Sequence, residues 1–216
     1  MKYYKKTFLI LFSICLLSLA SYLLFKPFPC TWIQVTSSLS GRSAEQLHNI
    51  TLAANKINKT IIPVQKVFSF NQLVGPYSIA EGFLPERTYL AGQTVESAGG
   101  GICQVASTLY YALLNTGLKV TERTNHMFPI QSLPMGFDAT VAEKGADLCF
   151  INNTYQPIML KASIKNDRLF ITICGSYFKP VKTQLERQVF QLKNNVYSVK
   201  VYQDQNKISD DLYYLN

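Results

Sequence analysis

The chain has 216 residues, 48% of them hydrophobic, and a formal net charge of +8; it is long enough for one sizeable core, with or without a small appendage. No run of five or more like charges and no basic stripe with interleaved aromatics occurs, so composition argues against a nucleic-acid partner. Five cysteines are too few to act as a disulfide framework in a chain of this length.

At the N-terminus, Lys2, Lys5 and Lys6 precede an uncharged apolar run over residues 7–25, and Lys26 follows it. That run approaches the roughly 20 residues a helix needs to span a bilayer. The lysine excess ahead of it predicts an inside N-terminus with the remainder extracytoplasmic. Ser18-Leu19-Ala20 resembles a signal-peptidase site, but the apolar run continues past it, so a membrane anchor is preferred to a cleaved, secreted form. Neither Cys15 nor Cys30 sits in a lipobox. The expected organisation is 1–26 anchor or signal peptide, 27–42 tether, 43–176 main domain and 177–216 C-terminal extension.

Residues 27–41 read as a Pro- and Ser/Thr-rich tether ending at Gly41. From Ser43 to Asn58, Ala44, Leu47, Ile50, Ala54 and Ile57 fall on one helical stripe, with Ser43 as N-cap. Short strands are expected over 67–70 and 88–91. After Gly99-Gly100-Gly101 a second helix is expected, with Val105, Leu109, Ala112 and Leu113 on its apolar stripe and Gly117 as its stop. Extended chain over 120–129, a turn at Pro134-Met135-Gly136, and strands over 139–142 and 148–151 follow. Residues 157–164 and 169–174 flank Lys165-Asn166-Asp167 as a hairpin. The tail from Phe178 carries weak strand signals. Cys149 and Cys174 either pair or stand as small buried hydrophobes. The fold class predicted is α+β: an N-terminal transmembrane or signal helix, then helices packed on a mainly antiparallel sheet.

The glycine triplet places Cys103 in the first turn of the second helix, where unpaired amides and the dipole stabilise a thiolate. The alternative is a thiol that simply packs under the helix start. His48 and His126 are the chain's two histidines, and Asp138 follows His126 by twelve residues. A helix-borne Cys followed by His and Asp on successive extended segments matches the chain order of transglutaminase-like enzymes. There the His takes the thiol proton and the Asp orients the imidazole. The candidate catalytic set is Cys103, His126 and Asp138, with Gly101, Gln104 and Ser107 as substrate- or oxyanion-facing candidates. Glu122 and Arg123 read as an ordinary surface pair. A zinc site built from Cys103, His126, Asp138 and Cys149 lacks the usual ligand spacings, so no metal or cofactor is expected.

Longer motifs add a resemblance. His48-Asn49-Ile50, Phe68-Ser69-Phe70-Asn71, Val74-Gly75-Pro76, and residues 99–110 from Gly99 through Cys103-Gln104 to Tyr110 are similar to the VanW family. So are Glu122-Arg123 with His126, Pro134 with Gly136 and Asp138-Ala139-Thr140-Val141, and Asp147-Leu148 with Asn152-Asn153-Thr154. The match runs over roughly residues 45–175. Departures are mild: Ala106 stands where the family usually has Ser or Thr, Phe137 where Arg or Tyr is frequent, and Gln131-Ser132-Leu133 where a Tyr-Val pair is usual. The resemblance implies an exported protein of the Gram-positive cell envelope, with a link to vancomycin resistance and no settled activity. The expectation is a cysteine-dependent acyl-transfer or amide-cleaving enzyme acting on peptidoglycan or wall-associated protein. The alternative is a non-catalytic cell-wall-binding or scaffold module.

Overall fold

A computed structural model of the chain describes residues 6–8, 11–18, 28–90, 93–177 and 183–215. Among them no helix is long and apolar enough to cross a membrane, which overturns the expected spanning helix over residues 7–25. Residues 6–8 and 11–18 are helical, too short for a bilayer, and the rest of that stretch lies outside the described residues.

Residues 30–38, expected as tether, form strand β1, Cys30–Ser38. Its β-branched run buries Trp32 and Val35, so what looks like a Ser/Thr-rich linker is a half-covered edge strand. Helix α1, Ala44–Ile57, follows. Ser43 caps it in a reciprocal box, its Oγ accepting from Gln46 N while the Gln46 side chain returns to the Ser43 amide. Of the stripe read from the sequence, Ile50, Ala54 and Ile57 are buried, Leu47 is half-buried and Ala44 is exposed; Asn49 and Ala53 complete the buried face.

Next come β2, Ile61–Ile62; β3, Val67–Ser69; a short helix α2, Phe70–Val74; and the hairpin β4, Pro85–Leu90, with β5, Gln93–Ala98. Helix α3, Ile102–Leu114, is buried nearly all round, as befits a central helix. Then follow β6, Lys119–Glu122; β7, Cys149–Ile151; β8, Ile158–Lys165; and β9, Arg168–Gly175. The β8–β9 hairpin turns through Asn166 and Asp167, both at positive φ. Three strands close the chain: β10, Leu185–Lys193; β11, Val196–Gln203; and β12, Asn206–Tyr214.

The expected antiparallel pairing is present, but it is divided among several sheets. The described strands form four separate antiparallel sheets, ordered β1-β9-β8-β2, β3-β7-β6, β4-β5 and β10-β11-β12. Helices α1 and α3 pack on each other, α1 against β8 and α3 against β1 and β9. Val105, Leu109, Leu160, Ile171 and Ile173 are core residues of this layer, each contributing about 1.5–3 kcal/mol through burial. His126 and Asp138, expected on successive extended segments, lie outside the assigned strands, near the isolated bridge Thr124–Thr140 that replaces the strand expected over 139–142.

Candidate functional site

The site begins at the glycine turn. Gly101 is the N-cap of α3 at φ 95°, and a Cβ there would meet Ile50 and Gln46 of α1 at 3.2–3.3 Å. Both the left-handed backbone and the close approach of α1 therefore require glycine. Asn49 of α1 locks the turn from behind. Its Nδ2 donates to Gly100 O at 3.1 Å and Leu84 O at 3.0 Å, while its Oδ1 accepts from Leu84 N at 2.8 Å.

Cys103 and Ser107 are four residues apart, so they share a face of α3. That face runs along residues 139–141. Ser107 Oγ donates to Ala139 O at 3.0 Å and is 2.9 Å from Ala139 N, which donates back to it. Cys103 Sγ lies 3.4 Å from Val141 O and 3.5 Å from Val141 N. A thiol can donate to that carbonyl, and a thiolate can accept from that amide. Docking this segment on the helix carries Asp138, one residue before Ala139, to a fixed place beside the thiol.

Asp138 is 1% exposed and its carboxylate is fully engaged. Oδ2 accepts from His126 Nδ1 and from the His126 backbone N–H, each at 2.7 Å. Oδ1 accepts from Tyr213 Oη and, at 3.3 Å, from Arg123. Burial pushes the Asp138 carboxyl up, but the bonds from His126 and Tyr213 and the Arg123 charge outweigh it and hold the group below the usual carboxylate value.

With Nδ1 committed to Asp138, the other ring nitrogen is left for Cys103. Burial pulls the imidazole down, yet its bond to Asp138 and its hydrogen bonding and charge coupling to Cys103 push His126 up to about 9. Burial pushes the Cys103 thiol up, but the His126 bond and charge, with the Val141 backbone, leave it below its ordinary value. Both directions favour proton transfer from Cys103 to His126, the sense of a thiolate–imidazolium pair. Such a pair can attack a carbonyl carbon and then protonate a leaving amine.

Cys149 behaves differently: burial and its bond to Asp147 push that thiol up to about 12. Neither Cys149 nor Cys174 is paired in a disulfide. Among the described residues no three His, Cys, Asp or Glu side chains converge as metal ligands would. Cys103, His126 and Asp138 are strung in a relay instead.

The oxyanion-facing expectation for Gln104 and Ser107 is not met. Gln104 Nε2 donates to Ser37 Oγ at 3.0 Å and Ser38 O at 2.7 Å, and Oε1 accepts from Arg42 at 2.8 Å. Its amide ties α3 to β1 and has no hydrogen left for a substrate. Ser107 is equally spent on Ala139. Gly101 serves through its backbone turn. The surface pairing expected of Arg123 is also overturned: its side chain is 7% exposed, and it donates to Asp138 O at 2.7 Å and Asp211 Oδ2 at 2.6 Å. The sequence reading missed Asp211 and Tyr213 of β12. It also missed Tyr77, which donates to Asn71 Oδ1 at 2.5 Å and is near enough to Cys103 to feel its charge.

An α+β protein whose central helix opens on a Cys–His–Asp relay is the class that this fold and site define. The family follows from comparison of the chain: residues 45–174 match the family described as VanW like protein, and the chain belongs to the VanW family. It is 34% identical over 143 residues to the uncharacterized protein YoaR of Bacillus subtilis (strain 168), covering 66% of this chain and 47% of that protein. It is 30% identical over 114 residues to the vancomycin B-type resistance protein VanW of Enterococcus faecalis (strain ATCC 700802 / V583), covering 50% of this chain and 42% of that protein. The aligned region thus spans less than half the length of these relatives. No solved structure matches the chain.

Proposed function

We propose that the chain is a cysteine-dependent acyl-transfer or amide-cleaving enzyme that works outside the cytoplasm on peptidoglycan or wall-associated protein. The relay from buried Asp138 through His126 to Cys103 carries this reading. The Cys103 thiolate attacks the amide carbonyl carbon, forming a C–S bond. The developing oxyanion is held at the N-terminus of α3, by its dipole and the Cys103 amide. The imidazolium of His126 then gives its proton to the departing amine as the C–N bond breaks, leaving a thioester on Cys103. Water or an acceptor amine, deprotonated by His126, attacks the thioester and restores the thiolate. Asp138 keeps the imidazole in one tautomer and offsets its charge throughout.

The envelope location draws support from the resistance protein among the relatives. The name of that relative also supports a part in the response to vancomycin. Unchanged susceptibility on deletion in the host would remove that part. The chemistry is tested by incubating the purified chain with peptidoglycan stem peptides and reading intact mass. An acyl adduct on Cys103, absent in Cys103→Ala, is the expected result. If folded protein gives no adduct and releases no amine, the reading is contradicted.

A further inference from the structure

We propose that Tyr213 is a positioning residue for the relay, and that the C-terminal sheet is thereby part of the site. This rests on the relay reading above. Tyr213 is 0% exposed, and its hydroxyl accepts the Gly136 N–H at 2.7 Å. The hydroxyl's own hydrogen is therefore directed at Asp138 Oδ1. Asp211, two residues earlier on the same face of β12, holds Arg123, whose guanidinium adds a second donor to that oxygen. Oδ1 is thus claimed from the C-terminal sheet, and Oδ2 is left for His126. The carboxylate cannot rotate without losing one set or the other.

The docking is tight on independent grounds. Gly136 has φ 88°, and a Cβ there would meet Val201 and Val199 of β11 at 2.8 and 2.9 Å. The turn carrying Asp138 is therefore shaped to receive this sheet. Tyr213 and Asp211 lie beyond residues 45–174, the stretch that matches the family. A site whose reacting groups are all in the family region is completed by a segment outside it. The charged and titratable groups facing Asp138 and His126 are Cys103 and Tyr110 from α3, Arg123 after β6, and Asp211 and Tyr213 from β12.

The test is the pH dependence of Cys103 alkylation by iodoacetamide in the full chain, with the melting temperature measured alongside. Tyr213→Phe removes the hydroxyl and keeps the ring. The expected result is an acid limb moved up by about one pH unit, read as about tenfold slower alkylation on that limb. Asp211→Asn, which loosens only Arg123, should give a smaller shift of the same sign, and it decides the matter if Tyr213→Phe does not fold. A variant with a lowered melting temperature and a wild-type pH profile overturns the positioning role and leaves the relay standing. An ordinary thiol profile in the wild type overturns the relay and this inference together.

Discussion

His126 and Asp138 are joined twice through one oxygen: Asp138 Oδ2 accepts both the ring Nδ1–H and the backbone N–H of His126, each at 2.7 Å. The ring and its own main chain are thus referenced to the same buried atom. This fixes the imidazole in place and in tautomer, with the second nitrogen left for Cys103.

Asp138→Asn should break this arrangement more severely than its size suggests. The amide carries no charge to balance Arg123 and His126, and its NH2 must face donors. Removing one partner from a buried ion pair costs about 3–5 kcal/mol. Urea denaturation should show a loss of that order, and Cys103 alkylation at neutral pH should drop to the rate of an ordinary thiol. A variant with near-wild-type stability and thiol reactivity would remove Asp138 from the account.

Cys103→Ala should change how stability depends on pH. The His126 value of about 9 lies above the ordinary imidazole value of about 6.5, so its contribution is complete below about pH 6.5 and is lost as pH rises through about 9. The Cys103 shift has the opposite sign. Its contribution is complete above the ordinary thiol value of about 8.5 and is lost as pH falls through its lowered folded value. The two contributions therefore slope in opposite directions with pH, and they offset each other wherever the folded thiol has ionised and the unfolded one has not. Without the thiol only the His126 slope remains, smaller because Cys103 is part of what raises that value. The melting-temperature gap between wild type and Cys103→Ala should therefore widen as pH rises from about 6.5 towards about 8.5; a constant gap would count against the pair.

Gln104→Ala should separate structure from chemistry. It removes the donors to Ser37 and Ser38 and the acceptor for Arg42. Each buried polar group left unpaired costs about 1–3 kcal/mol. Thermal unfolding should occur at lower temperature while the alkylation pH profile of Cys103 stays in place. A displaced profile would return Gln104 to the site.

The parts of the fold that were legible in the sequence are those set by local rules. Helix α1 announced itself by its stripe and its Ser43 N-cap, and the β8–β9 hairpin by its turn residues. Cys103, His126 and Asp138 could be singled out because a glycine turn marked the thiol and only two histidines competed. The misses have geometric causes. Gln104 follows Cys103 directly, but one residue turns a helix by about 100°, and that rotation aims it at β1. Arg123 follows Glu122 in sequence but stands just past the end of β6, and its side chain turns inward to Asp138 while Glu122 stays exposed. Tyr213 lies 75 residues from Asp138 and Asp211 lies 88 from Arg123. They sit on β12, where burial alternates but residue polarity does not: the buried Asp211 and Tyr213 lie between exposed Asp210, Leu212 and Tyr214, so no apolar pattern pointed to them.

The central claim is that His126 holds Cys103 as a thiolate at neutral pH, and the most direct measurement is the alkylation rate of Cys103 against pH, resolved by peptide mass spectrometry, in wild type and His126→Ala. The wild type should react with an acid limb well below the ordinary thiol value of about 8.5. His126→Ala should return that limb to the ordinary value or above it, and Cys149 should stay unreactive in both. Superimposable profiles for the two proteins would contradict the account.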